Sequence, residues 1–499
     1  METLANLAAG FGVAFSLQNL IYCFAGVTLG TLIGVLPGIG SLAAVSMLLP
    51  VTYYLEPTTA LVMLAGVFYG AEYGGSIASI LLNLPGTASA AVTCLDGHPM
   101  AKKGRAGVAL FVTTIASFVG AAVGIIILSF FSPVLASVAN NFTSAEYFAV
   151  ILLGLVGAAT ITNSAPMRGL IMVAFGLLLG AIGTDVNSGQ QRFTHGVPSL
   201  FDGFNIVVVA MGLFGVSEII QSIRVTRQRT SEQPITLRSM IPTRQDMREF
   251  TAPALRGSAI GSFIGALPGA GQTIAAFMSY AMEKRISKRP EKFGTGAIEG
   301  ITAPESANNA ASITAFIPTL TLGIPGSATM ALILGALLIN GITPGPNLIP
   351  QNPELFWGLV ASFWIGNVLL CILNIPLINI WVRIIQVPYG YLYPAIIVLV
   401  CIGVFSVNLN ILDVVFVMAF GVVGYLLKVY GFEPAPVLLG FVLGPMLEEN
   451  LRRALLVNRG NFMALMERPI SGTFLVITAI LLVWALASPI LRARRSRAS

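Results

Sequence analysis

Gly30-Thr-Leu-Ile-Gly-Val-Leu-Pro-Gly-Ile-Gly40 recurs as Gly261-Ser-Phe-Ile-Gly-Ala-Leu-Pro-Gly-Ala-Gly271. A second pair follows each copy, Leu84-Pro85-Gly86-Thr87-Ala88-Ser89 being answered by Ile324-Pro325-Gly326-Ser327-Ala328-Thr329. The copies lie 231 residues apart in the first pair and 240 in the second, so one unit is used twice with small insertions. Gly/Pro interruptions at matching places in two apolar halves point to the binding site of a membrane carrier.

Composition supports a membrane setting. Of 499 residues, 56% are hydrophobic and 10% charged, whereas a soluble domain carries roughly 25% charged residues. Apolar stretches long enough to cross a bilayer include Phe11–Leu36, Ala106–Phe131, Phe204–Ile223, Leu355–Trp381 and Thr473–Leu491. Continuous apolar runs, rather than short alternating strands, exclude an outer-membrane barrel. The expected fold is an all-α polytopic membrane protein of about 10–12 transmembrane segments. Cys23, Cys94, Cys371 and Cys401 sit in apolar runs at unrelated spacings, which reads as small buried hydrophobes rather than a disulfide or metal framework. The net charge of +6 does not imply nucleic acid, because the basic residues gather between apolar stretches. Met1-Glu-Thr-Leu-Ala-Asn has no basic n-region, so no cleaved signal peptide is expected.

Those basic clusters set an orientation. They are Lys102-Lys103-Gly-Arg105, Arg224 to Arg256, Lys284 to Lys292, and Arg492 to Arg497. Placing all four in the cytoplasm follows the positive-inside rule. Arg256 and Lys284 then bracket the second Leu-Pro-Gly segment on the same side. Its arms, Ala259–Leu267 and Gln272–Met282, are too short to cross singly, so a re-entrant hairpin turning at Pro268-Gly269 is expected. In the first half the basic loop follows the later Pro-Gly instead, which is the signature of two inverted-topology repeats. The expected division is 1–223 for the first repeat, 224–253 for a cytoplasmic linker, 254–491 for the second repeat and 492–499 for a basic tail. Pro434–Leu447 must cross for that tail to stay inside, yet it is short and carries Pro434, Pro436 and Pro445.

Several motifs resemble TctA, the large membrane subunit of the tripartite tricarboxylate transporters. They are Gly34-Val-Leu-Pro-Gly-Ile-Gly40, Tyr69-Gly-Ala-Glu-Tyr-Gly-Gly-Ser-Ile77, Leu82-Asn-Leu-Pro-Gly-Thr-Ala88 and Asp96-Gly-His-Pro-Met-Ala-Lys-Lys-Gly-Arg105. Pro304-Glu-Ser-Ala-Asn-Asn-Ala-Ala311 and Gly335-Ala-Leu-Leu-Ile-Asn-Gly-Ile-Thr-Pro-Gly-Pro346 belong to the same set. The resemblance implies a permease of the bacterial inner membrane, driven by an ion gradient. It also implies a small four-helix membrane subunit and a periplasmic solute-binding protein as partners, with carboxylates as substrates, citrate being the namesake.

The residues give their own account of an anion site. A helix restarting after a Pro-Gly break offers free N–H groups and the positive end of its dipole. The candidate substrate-binding positions are Pro37, Gly38, Gly40 and Ser41; Pro85, Gly86, Thr87 and Ser89; Pro268, Gly269, Gly271, Gln272 and Thr273; and Pro325, Gly326, Ser327 and Thr329. Glu72, Asn83, Glu305, Asn308 and Asn309 are polar groups in apolar surroundings and so candidates for the coupling ion, Na⁺ or H⁺. The amide oxygens of Asn83, Asn308 and Asn309 suit Na⁺, whereas the glutamates can bind a cation, carry a proton or cap a helix. Glu72 and Glu305 fall near the same place in the repeat, though out of register. His98 and His195 read as loop residues, and Asp185, Arg192 and Asp202 as a solvated outer loop. No resident metal or cofactor is expected. The chain lacks HExxH and the Gly-x-x-x-x-Gly-Lys-Ser/Thr phosphate loop, so an enzyme is not expected. A carboxylate or ion channel, or a carrier working without a binding protein, is the alternative.

Overall fold

The computed structural model describes residues 2–161, 165–185, 187–222, 235–267, 271–385, 387 and 389–498. Nearly all regular structure among them is helix; the exception is one short antiparallel pair, β1 (Gly183–Thr184) with β2 (Gln191–Arg192).

The first half opens with α1 (Glu2–Ala14) and α2 (Leu17–Gly34). The Ser16 hydroxyl caps α2 by accepting the Asn19 N–H. α2 stops at Leu36-Pro37-Gly38, where proline lacks a ladder N–H and Gly38 and Gly40 turn the chain at φ 85° and 74°. α3 (Gly40–Leu48) leads back, and α4 (Pro57–Leu82) is a 26-residue helix buried over almost its whole length. After the second Pro-Gly come α5 (Thr93–Met100), α6 (Ala106–Ala139), α7 (Ser144–Ile161) and α8 (Pro166–Gly180). α9 (Ile206–Ala210) and α10 (Ser217–Ser222) follow, joined by a widened turn at Met211–Val216.

The second half repeats the plan. α11 (Arg244–Gly265) runs to the second Leu-Pro-Gly and α12 (Gly271–Ile286) runs back. α13 (Glu299–Thr314) and α14 (Phe316–Leu322) together stand where α4 stood, and α15 (Ala328–Ile339) follows the last Pro-Gly. α11 starts well inside the polar stretch before it. Thr243 accepts the Asp246 N–H while the Asp246 carboxylate accepts the Thr243 N–H, a reciprocal cap that fixes the helix start.

Glycine stripes hold each hairpin to its long helix. Gly26, Gly30 and Gly34 of α2 lie against Met63, Val67 and Ala71 of α4. Gly257, Gly261 and Gly265 of α11 lie against Ala303, Ala307 and Ala311 of α13. The glycines recur at an offset of 231 and their partners at 240, the same two offsets as the motifs. At each glycine an added Cβ would run into the partner's backbone, so the helices touch main chain to main chain. Lipid is as apolar as a leucine face, so close packing through small residues is what drives such helices together. Glycine and partner numbers rise together, so both pairs run parallel.

The remainder is α16 (Leu348–Gln351), α17 (Pro353–Asn374), α18 (Ile378–Ile384), α19 (Tyr389–Asn408), α20 (Ile411–Val429), α21 (Ala435–Val457), α22 (Met463–Glu467) and α23 (Pro469–Ala498). Two of the three prolines near α21 are placed where they do least harm, while Pro445 lies inside the helix and removes one ladder N–H. Pro434 precedes the helix and Pro436 sits in its first turn, where no ladder N–H is lost. The helix then runs 23 residues against α7 and α8, through Gly176 on Val437 and Gly440 on Val173.

Among the described residues six helices are long and apolar enough to cross a membrane, the longest apolar one being α6. Large apolar side chains on α19, α20 and α23, such as Leu399, Val415 and Val483, face outward. This is an all-α polytopic membrane protein.

Candidate functional site

The Pro-Gly loop of each half rests on the end of its own hairpin helix. An added Cβ on Gly86 would strike the Gly34 carbonyl oxygen and come within 2.6 Å of Gly75 Cα, so only glycine fits. At the matching place Gly326 lies 3.5 Å from the Gly265 carbonyl oxygen by the same measure. The first loop is also tied to its hairpin tip, the Gly38 N–H donating to the Pro85 carbonyl at 3.2 Å.

These loops meet around a single cavity of about 400 Å³. Gly40, Ser41, Thr87 and Ser89 line it from the first half. Gly271, Gln272, Thr273, Gly326, Ser327 and Thr329 line it from the second. Pro37, Gly38, Pro85, Gly86 and Pro325 shape the loops behind that lining, and Pro268 and Gly269 lie outside the described residues. α3 begins at Gly40 with no side-chain cap from Ile39. Its first N–H groups therefore have no local side-chain acceptor. The Ser327 hydroxyl caps α15 through the Met330 N–H at 3.3 Å. Gln272 brings a buried amide Nε2 that has no partner among the described residues. Hydroxyls, helix starts and an unpaired amide donor make a surface that can accept a carboxylate by hydrogen bonds alone.

No Lys, Arg or His lines the cavity among the described residues, but two carboxylates do, Glu72 and Glu433. Glu72, on α4, is 2% exposed. Its Oε2 accepts the Ser89 hydroxyl at 2.6 Å and the Thr87 hydroxyl at 3.3 Å, and those hydroxyls stand 2.9 Å from each other.

Glu305 occupies a separate place. It is 1% exposed on α13, accepting the Thr93 hydroxyl at one oxygen and the Ser117 hydroxyl at 3.3 Å at the other. Asn308 and Asn309 share that side of the helix. Asn309 Nδ2 donates to the Glu305 carbonyl at 3.0 Å, whereas Asn309 Oδ1 and both amide atoms of Asn308 are buried without a partner among the described residues. The stripe offset matches Glu72 to Ser312 and Glu305 to Ala65, so the two glutamates stand seven residues apart in the repeat. Asn83 is apart from both groups. It ends α4 in left-handed backbone at φ 57° and is exposed.

Three readings of the sequence are corrected. His98 lies in helix α5 and not in a loop, its Nδ1 3.0 Å from the Ile80 carbonyl oxygen. Asp185 and Arg192 belong to a charged network and not to a freely solvated loop. Arg192 pairs with Asp185 at 2.6 Å and Glu448 at 3.0 Å, and Arg452 pairs with the same two acids. Of the four cysteines only Cys23 is fully buried.

Sequence reading missed two parts of this region. The head of α21 closes the cavity wall with Glu433, Pro434, Ala435, Pro436 and Leu439. The other part is Asp96, fully buried, which ties the two halves together. Its Oδ1 accepts the N–H groups of Gly294, Gly296 and Ala297 at 2.7–2.9 Å, and its Oδ2 accepts the Tyr280 hydroxyl at 3.0 Å. Nearby, Arg105 pairs with Asp246 at 2.6 Å. Burial works against the Asp246 carboxylate, but Arg105 and the Thr243 cap outweigh it and hold its carboxyl below the usual range.

A family model described as the tripartite tricarboxylate transporter TctA family matches residues 20–439. Two relatives from Agrobacterium vitis are similar. One, described as an uncharacterized 52.8 kDa protein in the TAR-I ttuC' 3' region, is 48% identical over 500 residues, covering 100% of this chain and 99% of the relative. The other, described as an uncharacterized protein in the TAR-II ttuC' 3' region, is 52% identical over 237 residues, covering 48% of this chain and 98% of the relative. With a cavity lined from both halves by residues that follow the Pro-Gly motifs of a polytopic helical chain, and with this match over most of its length, the protein belongs to the tripartite tricarboxylate transporter TctA family.

Proposed function

We propose that this chain is the permease subunit of an ion-gradient-driven importer of tricarboxylates or related carboxylates in the bacterial inner membrane. It works with a small four-helix membrane subunit and a periplasmic solute-binding protein. The observation that carries the reading is the convergence of the loops at 87–89 and 326–329 and of the helix starts at Gly40 and Gly271 on one cavity lined by hydroxyls. A symmetric lining drawn from two repeats suits a site opened to either side in turn. The absence of Lys and Arg from the described lining suits release as well as capture, since hydrogen bonds hold a carboxylate less tightly than a fixed ion pair.

In this reading the basic clusters lie in the cytoplasm, so α11 and α12 enter from that side and α2 and α3 from the periplasm. Glu72, Glu305, Asn308 and Asn309 serve the coupling ion, while Asn83, exposed at the end of α4, stands apart from them. The buried amide oxygens of Asn308 and Asn309 that lack a partner are the observation favouring this role.

Uptake of radiolabelled citrate into proteoliposomes holding this chain and its small partner tests the proposal, with the binding protein outside. Accumulation that requires both the binding protein and an inward cation gradient is the expected result. Uptake that ignores the gradient and does not saturate indicates a channel. No accumulation of citrate, malate or succinate under either a Na⁺ or a proton gradient refutes the carrier reading.

A further inference from the structure

The cavity presents an electrostatic contradiction. It is built to hold an anion, yet the charged side chains on its described lining are carboxylates, Glu72 and Glu433. Glu72 also holds two hydroxyls that the substrate would need, those of Thr87 and Ser89. A carboxylate substrate in this cavity would meet a like charge in surroundings of low dielectric, where repulsion is strong. It would also compete with Glu72 for the same donors.

We infer that Glu72 is an internal stand-in for the substrate carboxylate and that a proton on Glu72 admits the substrate. This rests on the anion-cavity reading above and assigns the coupling step within it. With Glu72 ionised, Ser89 and Thr87 both donate to its Oε2, and the cradle is occupied by the protein's own anion. One proton, taken from water, turns the side chain into a neutral acid. The like charge disappears, and a neutral acid accepts hydrogen bonds more weakly than a carboxylate does. The two hydroxyls are then free to turn to the substrate. When the substrate leaves, loss of the proton returns both hydroxyls to Glu72 and closes the cradle again. Binding of one substrate is thereby linked to uptake of one proton.

The surroundings leave this task to Glu72. Of the elements packed against α4, α13 brings Glu305, which already receives Thr93 and Ser117. α5 brings Asp96, committed to three backbone N–H groups and Tyr280, and His98, turned to the Ile80 carbonyl. α2 brings Tyr22 and Cys23, α5 also Cys94, α17 Cys371 and, in its first turn, Glu354, and the turn Leu49–Tyr54 brings Tyr53 and Tyr54, while α3, α6 and α15 bring no titratable side chain. Glu433 shares the cavity wall, but Thr87 and Ser89 donate to Glu72. Glu72 joins a titratable oxygen directly to the loop that lines the cavity.

Equilibrium binding of radiolabelled citrate, with malate as a second probe, to the purified chain with its small partner tests this between about pH 5 and about pH 8. In the wild type, affinity is expected to fall as pH rises, with a limiting slope of about tenfold per pH unit, that of one linked proton. Glu72→Gln keeps the shape and removes the titration, so its binding is expected to lose that slope. Comparing the two proteins removes the probes' own titration. Ser89→Ala is a second variant, expected to weaken binding at every pH while keeping the slope. An equal slope in the wild type and Glu72→Gln overturns the role of Glu72 and leaves the cavity reading intact. Binding that responds to Na⁺ in place of choline at fixed pH, with no proton slope, overturns the proton and names Na⁺ instead. Failure of both probes to bind either protein at any pH overturns the cavity reading, and this inference with it.

Discussion

Gly261→Ala tests whether the hairpins are held by backbone contact. The added Cβ would stand 2.6 Å from Ala307 Cα and 2.7 Å from Ala307 C, and closer still to the carbonyl oxygen. Non-bonded carbons rest at roughly 3.5–4.0 Å, so α11 and α13 must part by about 1 Å along this line. No flexible side chain can yield, because every atom met is main chain or the Cα of a packed helix. Overpacking of this kind costs roughly 1–3 kcal/mol, against which alanine's better helix propensity returns about 1 kcal/mol. Gly12 on α1 is the control, since a Cβ there meets nothing within 4 Å. Gly12→Ala is expected to hold or raise the thermal unfolding midpoint in detergent, whereas Gly261→Ala lowers it. Gly261→Ala also moves the tip that carries Gln272 into the cavity, so carboxylate binding weakens with stability. Gly30→Ala, the counterpart in the other repeat, behaves alike, and the two losses add if the stripes are independent. If Gly261→Ala melts with Gly12→Ala, the stripe does not set the spacing of the helices and the argument from close packing fails.

Ser41→Ala and Gln272→Ala each remove one donor from the cavity, about 1 kcal/mol or roughly fivefold in affinity apiece. Membrane insertion stays normal, and unchanged affinity in the double variant would move the site elsewhere. Arg256 makes two hydrogen bonds to Glu283, whose side chain is 3% exposed. Arg256→Leu strands that carboxylate and costs about 2 kcal/mol after allowing for the half-open arginine. Adding Glu283→Leu recovers most of the loss in a thermal melt, and no recovery would show that the arginine acts by its stem alone. At the β1–β2 loop, the Ser188 hydroxyl first, then the Asn187 N–H, Arg192 and Arg452, hold the Asp185 carboxyl well below the usual carboxylate range. A carboxyl depressed in this way stabilises the fold above its unfolded value of about pH 3.9 and loses that contribution as pH falls through its folded value. Hydrogen exchange of 183–203 is therefore expected to stay slow from neutral pH down to about pH 4 and to quicken below it. Asp185→Asn quickens it already at neutral pH, and an unchanged rate would mean the network does not anchor the loop.

What could be read in the sequence is whatever the backbone demands of residue type. Pro-Gly breaks and small-residue stripes are such demands, because proline stops a ladder and a carbonyl pressed against Gly30 or Gly261 admits no Cβ. They recur at 231 and 240 in chain and in space alike. The start of α11 at Arg244 was legible too, in Thr243 and Asp246, but the polarity around it reads first as linker. The Asp96 clasp had no local signature, since its partners are backbone N–H groups about two hundred residues away. The same holds for the wall that α21 gives the cavity, because Pro434 and Pro436 mark only where a helix begins.

The repeat is kept where packing requires it and broken where charge appears. Glycine stripe, hairpin tip and Pro-Gly loop have counterparts in both halves, whereas Glu72 answers to Ser312 and Glu305 to Ala65. In the proposed carrier, two matching cradles would allow the substrate to be passed between equivalent faces. Two matching carboxylates would not help, because a carboxylate in each cradle would close both against an anion at once. One carboxylate bonded to one cradle makes only that side answerable to a cation, which is what a coupled carrier needs and a symmetric pore does not. Placing Glu at Ser312 is expected to make the second cradle self-occupied like the first. Ser312→Glu with Glu72→Gln then moves the linked proton to the other half, while Ser312→Glu alone binds citrate more weakly than wild type at neutral pH. If Ser312→Glu binds citrate as wild type does, the asymmetry of the carboxylates has no part in coupling.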